Sequence, residues 1–250
     1  MEVGTMEGGT EGSSEDLGHG AEDGRRGATK HGGGGESGQA ISFCGAFLIP
    51  GVLPYSLCYA FLKGTKYTFL FWLPTYLNSA MDVSGTRADL LSMLFDVGAI
   101  GGAAVVGAAS DRLSSRGPLT ISLLLSSLPV TWYMQFASLG QLVPLLLVVG
   151  AQLGAPANLV AGCISADLGQ HQSLHGKQRA LATVTGIIDG TGSLGAAAAQ
   201  YIVGILAPGN GTQAVAGAWS RVFMFLLVCT ACSVVCLLPV LRVDFVRAAA

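Results

Sequence analysis

Charged residues are scarce in this sequence. Only 11% of its 250 residues are Asp, Glu, Lys or Arg, and the formal net charge is −2. No basic patch with interleaved aromatic residues occurs, and its absence argues against a nucleic-acid-binding protein. Apolar residues make up 51% of the chain and form long uninterrupted runs. This composition argues against a soluble domain and predicts a protein that crosses a membrane several times.

The apolar runs also lack the residue sets of an enzyme or a metal site. We find no Ser, His and Asp combination within them, and no third ligand lies near His171 and His175. No CxxC pair is matched by another, so we predict that the cysteines are small core residues rather than disulfides or metal ligands. The six cysteines are Cys44, Cys58, Cys163, Cys229, Cys232 and Cys236. We therefore predict no catalytic residues, no metal and no cofactor.

Residues 1–40 are nearly devoid of aliphatic side chains and rich in Gly, Glu, Ser and Thr. Such a segment cannot bury enough apolar surface to fold, which predicts a disordered tail or linker. It has no basic region followed by an apolar one, so it does not resemble a signal peptide. Residues 41–54, which contain Pro50 and Pro54, are predicted to be an interfacial lead-in.

The remaining sequence alternates apolar runs with short polar turns. Several runs reach the roughly 20 residues that a bilayer-spanning helix needs. The predicted helices cover about 55–80, 88–109, 118–138, 142–167, 180–207 and 219–241. Pro74 is expected to kink or end the first of them. The predicted fold is an all-α membrane protein with a six-transmembrane-helix bundle at 55–242 and a cytoplasmic tail at 243–250.

Basic residues in the connections predict the orientation of these helices. One side holds six of them: Arg112, Arg116, Lys177, Arg179, Arg242 and Arg247. The opposite side holds only Arg87 and Arg221. Since basic residues are retained in the cytoplasm, both termini are predicted to be cytoplasmic. Asn210 begins an Asn-Gly-Thr glycosylation sequon on the predicted lumenal side, which is a weak signal in a short loop.

Two of the predicted helices are dense in glycine, which allows helix backbones to approach closely in a membrane. Two interpretations are compatible here: tight packing, or close contacts that let helices slide or rock during a transport cycle. The glycines are Gly98, Gly102 and Gly107 in the second helix, and Gly186, Gly190, Gly192 and Gly195 in the fifth.

Lys63 and Lys66 lie one helical turn apart in the first predicted helix. A lysine at the centre of a bilayer costs about 2.5–3.5 kcal/mol on insertion scales, so two are not expected to face lipid. Their spacing places both on one helix face, and a water-filled cavity that attracts an anion would accommodate that face. Asp96 and Asp189 are carboxylates within other predicted helices, where an ion pair or a functional role is expected.

The connection after the second helix, from Gly107 to Arg116, reads GAASDRLSSR. A glycine, three residues, Asp-Arg and a further Arg resemble the cytoplasmic loop motif of the major facilitator superfamily. The resemblance implies that Asp111, Arg112 and Arg116 latch one conformation of a carrier through charge pairs. The family pattern has a glycine at Ser114 and a basic residue at Gly117, so the latch is expected to be weaker here. A positively charged turn that only sets topology is the alternative.

A longer resemblance covers about 41–242. Its motifs are YTFLFWLP at 67–74, LFDVG at 94–98, SADLG at 165–169 and IIDGTGS at 187–193. They resemble the C-terminal half of the sugar-phosphate exchangers, which are organophosphate:phosphate antiporters of the endoplasmic reticulum. The resemblance implies half of a twelve-helix carrier, in a multi-pass membrane protein of that organelle, that exchanges glucose 6-phosphate for inorganic phosphate.

The resemblance also implies site residues. Lys63 stands where the exchangers have a lysine, which implies a phosphate ligand; the alternative is a buried lysine paired with Asp96 or Asp189. Lys66 falls where bacterial relatives place a substrate-binding arginine, although it could also snorkel toward the lumen. Asp96 and Asp189 are expected to pair with the lysines and tune the conformational cycle. Asn158, like Gln152, is a candidate ligand for a sugar hydroxyl or a polar contact between helices.

An alternating-access carrier places its site between two six-helix bundles, and only one is predicted here. The site would be completed by a missing N-terminal half or by a second copy of the chain. Two alternatives remain open: a truncated, non-transporting membrane protein or assembly partner, and a carrier of another organophosphate such as glycerol 3-phosphate.

Overall fold

The structure is a computed structural model that describes residues 43–112, 116–170, 180–208 and 215–248. All regular secondary structure in these four segments is helical, which confirms the all-α prediction. The predicted tail at 1–40, the sequon at Asn210, both histidines of 171–175 and the basic pair Lys177 and Arg179 lie outside the described residues.

The helices follow the predicted order. They are α1 (Phe43–Phe47), α2 (Val52–Met81), α3 (Gly85–Ser110), α4 (Gly117–Met134), α5 (Leu139–Asn158), α6 (Ser165–Gly169), α7 (Ala180–Leu206) and α8 (Val215–Ala248). A π-helical segment, Leu159–Ile164, joins α5 to α6, so that Leu139–Gly169 is one continuous helix. The α8 helix continues through the first six residues of the predicted C-terminal tail.

Local sequence explains where two of the helices begin. Gly51 precedes α2 with φ 98°, a backbone conformation that glycine adopts without steric penalty. Ser138 precedes α5, and its backbone N–H donates a 3.0 Å hydrogen bond to Gln141 Oε1. This pair is a capping box, which satisfies N–H groups that have no partner in the first helical turn.

Several prolines lie inside the described helices without ending them. The α2 helix continues past Pro74 to Met81, so the expectation that this proline could end the helix is wrong. Proline removes one backbone donor, a loss that neighbouring groups can compensate in membrane helices. In α5, Pro156 is followed after two residues by the π-helical segment, where the winding of the helix changes.

The α2 helix is central to the packing. It contacts α3, α5, α7 and α8, whereas α4 packs against α5 and α8. The largest fully buried side chains come from several of these helices, and include Leu62, Phe95, Leu146, Ile188 and Leu237. Because α2 and α7 are neighbours over much of their length, residues on these two helices can form a common site.

The outward surface is strongly apolar. Among the described residues, three helical segments are long and apolar enough to cross a membrane by length and composition: Gly85–Ser110, Leu139–Gly169 and Gly217–Leu241. Large apolar side chains such as Ile100, Leu194 and Ile205 are exposed on the surface of the chain. A soluble monomer rarely exposes so many together, so these surfaces fit a membrane protein.

The glycines divide into two groups. A Cβ atom at Gly98 would overlap the backbone of Leu147, and one at Gly195 would overlap the backbone of Ala60. Gly102 and Gly192 are similarly crowded by α5 and α2. These four positions confirm close helix packing. By contrast, no described atom lies within 4 Å of a Cβ built at Gly107, Gly186 or Gly190, so these three make no close contact with another described helix.

Candidate functional site

The centre of the candidate site is an ion pair between α2 and α7. Lys63 Nζ lies 2.7 Å from Asp189 Oδ1 and donates a second hydrogen bond, 2.9 Å long, to Ser193 Oγ. The side chain of Lys63 is 9% exposed, whereas that of Asp189 is 56% exposed. Of the two carboxylates considered from sequence, the structure therefore pairs Lys63 with Asp189.

Two tyrosines complete the surroundings of the ammonium group. Lys63 Nζ lies 5.4 Å from the ring centre of Tyr59 and 5.7 Å from that of Tyr67, within the range of cation–π attraction. Sequence reasoning missed Tyr59, Tyr67 and Ser193. The helical spacing could have identified them, because the tyrosines flank Lys63 at four residues on either side and Ser193 follows Asp189 by four.

Glycine on α7 makes this arrangement possible. A Cβ atom at Gly192 would overlap the ring of Tyr59 and lie 3.1 Å from Lys63 Cδ. Because glycine leaves that space free, the lysine stem and the tyrosine ring lie directly against α7. The packing of the two helices and the position of the ammonium group thus depend on the same residue.

Lys66 lies one turn further along α2 and is half-buried. It forms no hydrogen bond or ion pair within the part of the chain that the structure describes. Asp96 on α3 forms no ion pair with a described residue. Lys66 is therefore a cation at the predicted site that has no direct counter-ion among the described side chains.

Asn158 and Gln152 differ in their contacts. Gln152 Nε2 donates a 3.0 Å hydrogen bond to Ser126 Oγ, which makes Gln152 a polar contact between α5 and α4. Asn158 is exposed at the last residue of α5, directly before the π-helical segment. Its amide forms no side-chain hydrogen bond to any described residue and is not joined to Lys63 or Lys66, so its role as a sugar ligand stays a prediction.

A second polar contact joins α2 and α7 away from the lysines. Trp72 Nε1 donates a 2.8 Å hydrogen bond to Gln200 Oε1, and Gln200 Nε2 lies 3.3 Å from Thr68 Oγ1. Sequence reasoning did not single out these residues. Together with the Lys63 contacts, they tie the two helices at separate levels.

Arg116 connects three helix ends on the side predicted to be cytoplasmic. Its Nη1 lies 2.7 Å from Asp167 Oδ2 in α6, and its Nη2 lies 3.6 Å from Asp111 Oδ1, directly after α3. Arg112 is exposed and forms no ion pair with a described residue. Arg116 and Asp111 are thus close together, as the loop motif implied, and Asp167 is an additional partner. A role for this cluster in gating stays a prediction.

Comparison with known proteins identifies relatives of this chain. It is 42% identical over 205 residues to sugar phosphate exchanger 3 of Mus musculus, a match that covers 81% of this chain and 40% of the relative. It is 42% identical over 214 residues to glucose-6-phosphate exchanger SLC37A1 of Homo sapiens, covering 84% and 39%. This chain is a relative of the sugar-phosphate exchangers. The resemblance identified from its motifs is therefore confirmed.

Further comparisons show how much of these relatives the chain covers. Glucose-6-phosphate exchanger SLC37A2 of Danio rerio is 41% identical over 194 residues, which cover 76% of this chain and 37% of the relative. The chain spans about two fifths of the length of these exchangers. No family model matches the sequence, and no solved structure matches it.

Proposed function

We propose that this chain forms part of a membrane carrier that exchanges a sugar phosphate, such as glucose 6-phosphate, for inorganic phosphate by alternating access. The observation that carries the proposal is Lys66, a half-buried cation without a direct counter-ion, one turn from Lys63 on α2. The names of its relatives, which are sugar-phosphate and glucose-6-phosphate exchangers, support the choice of substrate.

The charge of the substrate matches the two lysines. A phosphate monoester carries a charge of about −1.5 to −2 at pH 7 and offers three strong acceptor oxygens. Lysine binds phosphate as a compact charge with three donors. Two ammonium groups one helical turn apart can therefore neutralise one phosphate group between them. Asn158 is our candidate for a contact to the sugar.

We further propose that α2, α3, α4, α5 with α6, α7 and α8 each cross the bilayer. The shortest of them, α4, has 18 residues, which corresponds to a length of about 27 Å. The distribution of basic residues supports cytoplasmic termini. The family resemblance supports the endoplasmic reticulum membrane.

A partner bundle is part of the proposal. The Asp189 carboxylate is 56% exposed in the middle of α7, where contact with lipid would be costly. Water held between this face and a second helical bundle would solvate the carboxylate. A further six-helix segment or a second copy of the chain can supply that bundle, in agreement with the chain's coverage of about two fifths of its relatives.

Counterflow in liposomes tests the proposal. The chain is reconstituted alone and together with any N-terminal segment encoded upstream, and labelled phosphate uptake is measured into vesicles loaded with phosphate or glucose 6-phosphate. We expect Lys66→Ala to reduce uptake at least tenfold, because loss of a charge-assisted contact costs about 1.5–3 kcal/mol. Lys66→Arg should retain most uptake, since it keeps the charge.

Arg87→Ala is the matched control, because Arg87 is an exposed cation at the start of α3, outside the proposed site. Its uptake should equal that of the unmodified chain. Equal uptake by Lys66→Ala and Arg87→Ala would remove Lys66 from the site. Absence of counterflow both alone and with the N-terminal segment would instead favour the non-transporting alternative. Competition by glycerol 3-phosphate stronger than by glucose 6-phosphate would change the substrate assignment.

A further inference from the structure

The Lys63 ammonium group is already occupied by an anion that belongs to the chain. Asp189 Oδ1 lies 2.7 Å from Lys63 Nζ, at the distance from which a phosphate oxygen would also accept a hydrogen bond. We propose that Asp189 is an internal competitor of the substrate phosphate, so that phosphate binds Lys63 only when the Asp189 carboxylate leaves. This inference rests on the proposed function, because it assumes that Lys63 binds the substrate.

The two partners of the ion pair are held very differently. Lys63 also donates a hydrogen bond to Ser193 Oγ and lies over the rings of Tyr59 and Tyr67, three contacts that do not involve the Asp189 carboxylate. Ser193 is itself fixed, since its hydroxyl donates a 3.0 Å hydrogen bond to the backbone carbonyl of Asp189. The ammonium group therefore stays in place when the Asp189 side chain rotates away.

The Asp189 side chain has room to move. Its carboxylate is 56% exposed, and Gly190 follows it directly in α7. No described atom lies within 4 Å of a Cβ built at Gly190 or at Gly186, one turn earlier. These glycines make no close contact with another described helix. They leave open space on both sides of Asp189, which can receive the rotated carboxylate or the arriving phosphate group.

The balance of charge favours the substrate over Asp189. A carboxylate carries one negative charge, whereas a phosphate monoester carries nearly two at neutral pH. At equal distance the Coulomb attraction to the ammonium group is proportional to the charge of the anion. The displaced carboxylate is already largely exposed to solvent, so it regains hydration at little cost. The buried ammonium group exchanges one anion for another and never remains unpaired.

Lys66 makes the competition selective for phosphate. Lys66 follows Lys63 by three residues on α2, yet Asp189 forms no ion pair with it in the described structure. A phosphate group with three oxygens can contact both ammonium groups, whereas the Asp189 carboxylate contacts one. The internal anion therefore occupies only half of the proposed site, and an anion that contacts both lysines displaces it.

Direct binding of inorganic phosphate tests the inference. Binding is measured by calorimetry on the purified full chain and its variants, with any N-terminal segment used for counterflow present. We expect Asp189→Asn to bind phosphate about five- to tenfold more tightly, since the internal anion no longer competes for a charge-assisted contact. Asp89→Asn is the control, because Asp89 is an exposed carboxylate on α3 outside the site. It should leave the affinity unchanged.

The outcomes separate the inference from the proposed function. If the unmodified chain binds phosphate and Asp189→Asn binds it equally or more weakly, the competitor role is wrong while the transport site stands. If neither protein binds phosphate, both proposals are wrong. If only Asp189→Asn binds, or binds more tightly, the competitor role is supported.

A second measurement covers the case in which Asp189→Asn does not fold. Infrared difference spectra of the unmodified chain, with and without phosphate, should show a change in a carboxylate stretching band when Asp189 leaves Lys63. The band should shift in Asp189→Glu, which retains the charge, and persist in Asp89→Asn. A spectrum without a carboxylate change at saturating phosphate would overturn the inference.

Discussion

The helices α2 and α7 are tied by side-chain hydrogen bonds in addition to close glycine contacts, whereas α3 and α5 meet mainly through their backbones. Lys63, Trp72 and Thr68 on α2 all bond to partners on α7. Among the described residues, no side-chain hydrogen bond joins α3 to α5, although both helix pairs approach closely. The first pair is specified by polar chemistry and the second by shape.

The contact between α3 and α5 depends on glycine from both sides. A Cβ atom at Gly98 would overlap the backbone of Leu147, and one at Gly150 would overlap the carbonyl of Phe95. Backbone atoms cannot rotate aside as a side-chain end can. The contact between α3 and α5 therefore has little tolerance for added volume. Between α2 and α7, by contrast, the loss of one hydrogen bond leaves the other polar contacts in place.

The largest expected effect is from Gly98→Ala. Its methyl group forces α3 away from α5, and we expect the free energy of unfolding to fall by about 1–3 kcal/mol, as for other overpacked cores. The measurement is the midpoint of thermal or denaturant unfolding in detergent, with retention of the folded species in size-exclusion chromatography as a second readout.

Gly101→Ala is the matched control for Gly98→Ala, in the same helix and three residues away. No described atom lies within 4 Å of a Cβ at this position. Because alanine favours helix over glycine by up to about 1 kcal/mol, this variant should be as stable as the unmodified chain or more so. Equal destabilisation by both substitutions would contradict the conclusion that Gly98, and not Gly101, is packed against α5.

The same contrast explains what the sequence could predict. Apolar runs and breakers located the long helices to within a few residues, except that α8 continues past its predicted end to Ala248. Hydrophobic length and turn residues are local properties that a sequence carries directly. The sequence could not show which glycines pack against another helix. Gly98 and Gly107 lie on the same helix, yet only Gly98 meets a neighbour, and helical periodicity does not say which neighbour a face will meet.

The ion-pair partner of Lys63 could not be predicted from the local sequence either. Asp96 and Asp189 both lie within predicted helices, and 126 residues separate Lys63 from the one it contacts. Only the packing of α7 against α2 decides between them. Spacing within a single helix carried more information than we used, since it places Tyr59, Tyr67 and Ser193 beside the ion pair.

A smaller effect is expected from the hydrogen bond between Trp72 and Gln200. We expect a double-mutant cycle with Trp72→Phe and Gln200→Leu to give a coupling of about 0.6 kcal/mol, the average for hydrogen bonds between membrane helices. The cycle is measured by unfolding in detergent. Trp132→Phe replaces the Trp72 variant in the control cycle, because the Trp132 indole forms no hydrogen bond among the described residues. Coupling of equal size in both cycles would show that the loss is not specific to this hydrogen bond.

The smallest expected effect concerns a polar link in the described structure that lies beyond the contact between α3 and α5. It lies at the end of the helices, where Arg116 bridges Asp111 after α3 and Asp167 in α6, the continuation of α5. The two carboxylates are 71% and 64% exposed, so solvent weakens the pairs. We expect Arg116→Ala to lower the unfolding free energy by about 0.2–0.5 kcal/mol at low salt, and by less at high salt.

The salt series also distinguishes a charge effect from a packing effect. Arg116→Lys keeps the charge but not the planar group that reaches two carboxylates. The stability of this variant should therefore lie between that of the unmodified chain and that of Arg116→Ala. Arg112→Ala removes an exposed arginine that is not paired with a described residue and should change nothing. A loss for Arg116→Ala that is unchanged by salt would mean that the arginine stem, rather than its charge, joins the helix ends. The two helix pairs would then differ more clearly, because α3 and α5 would be held by packing along their whole length.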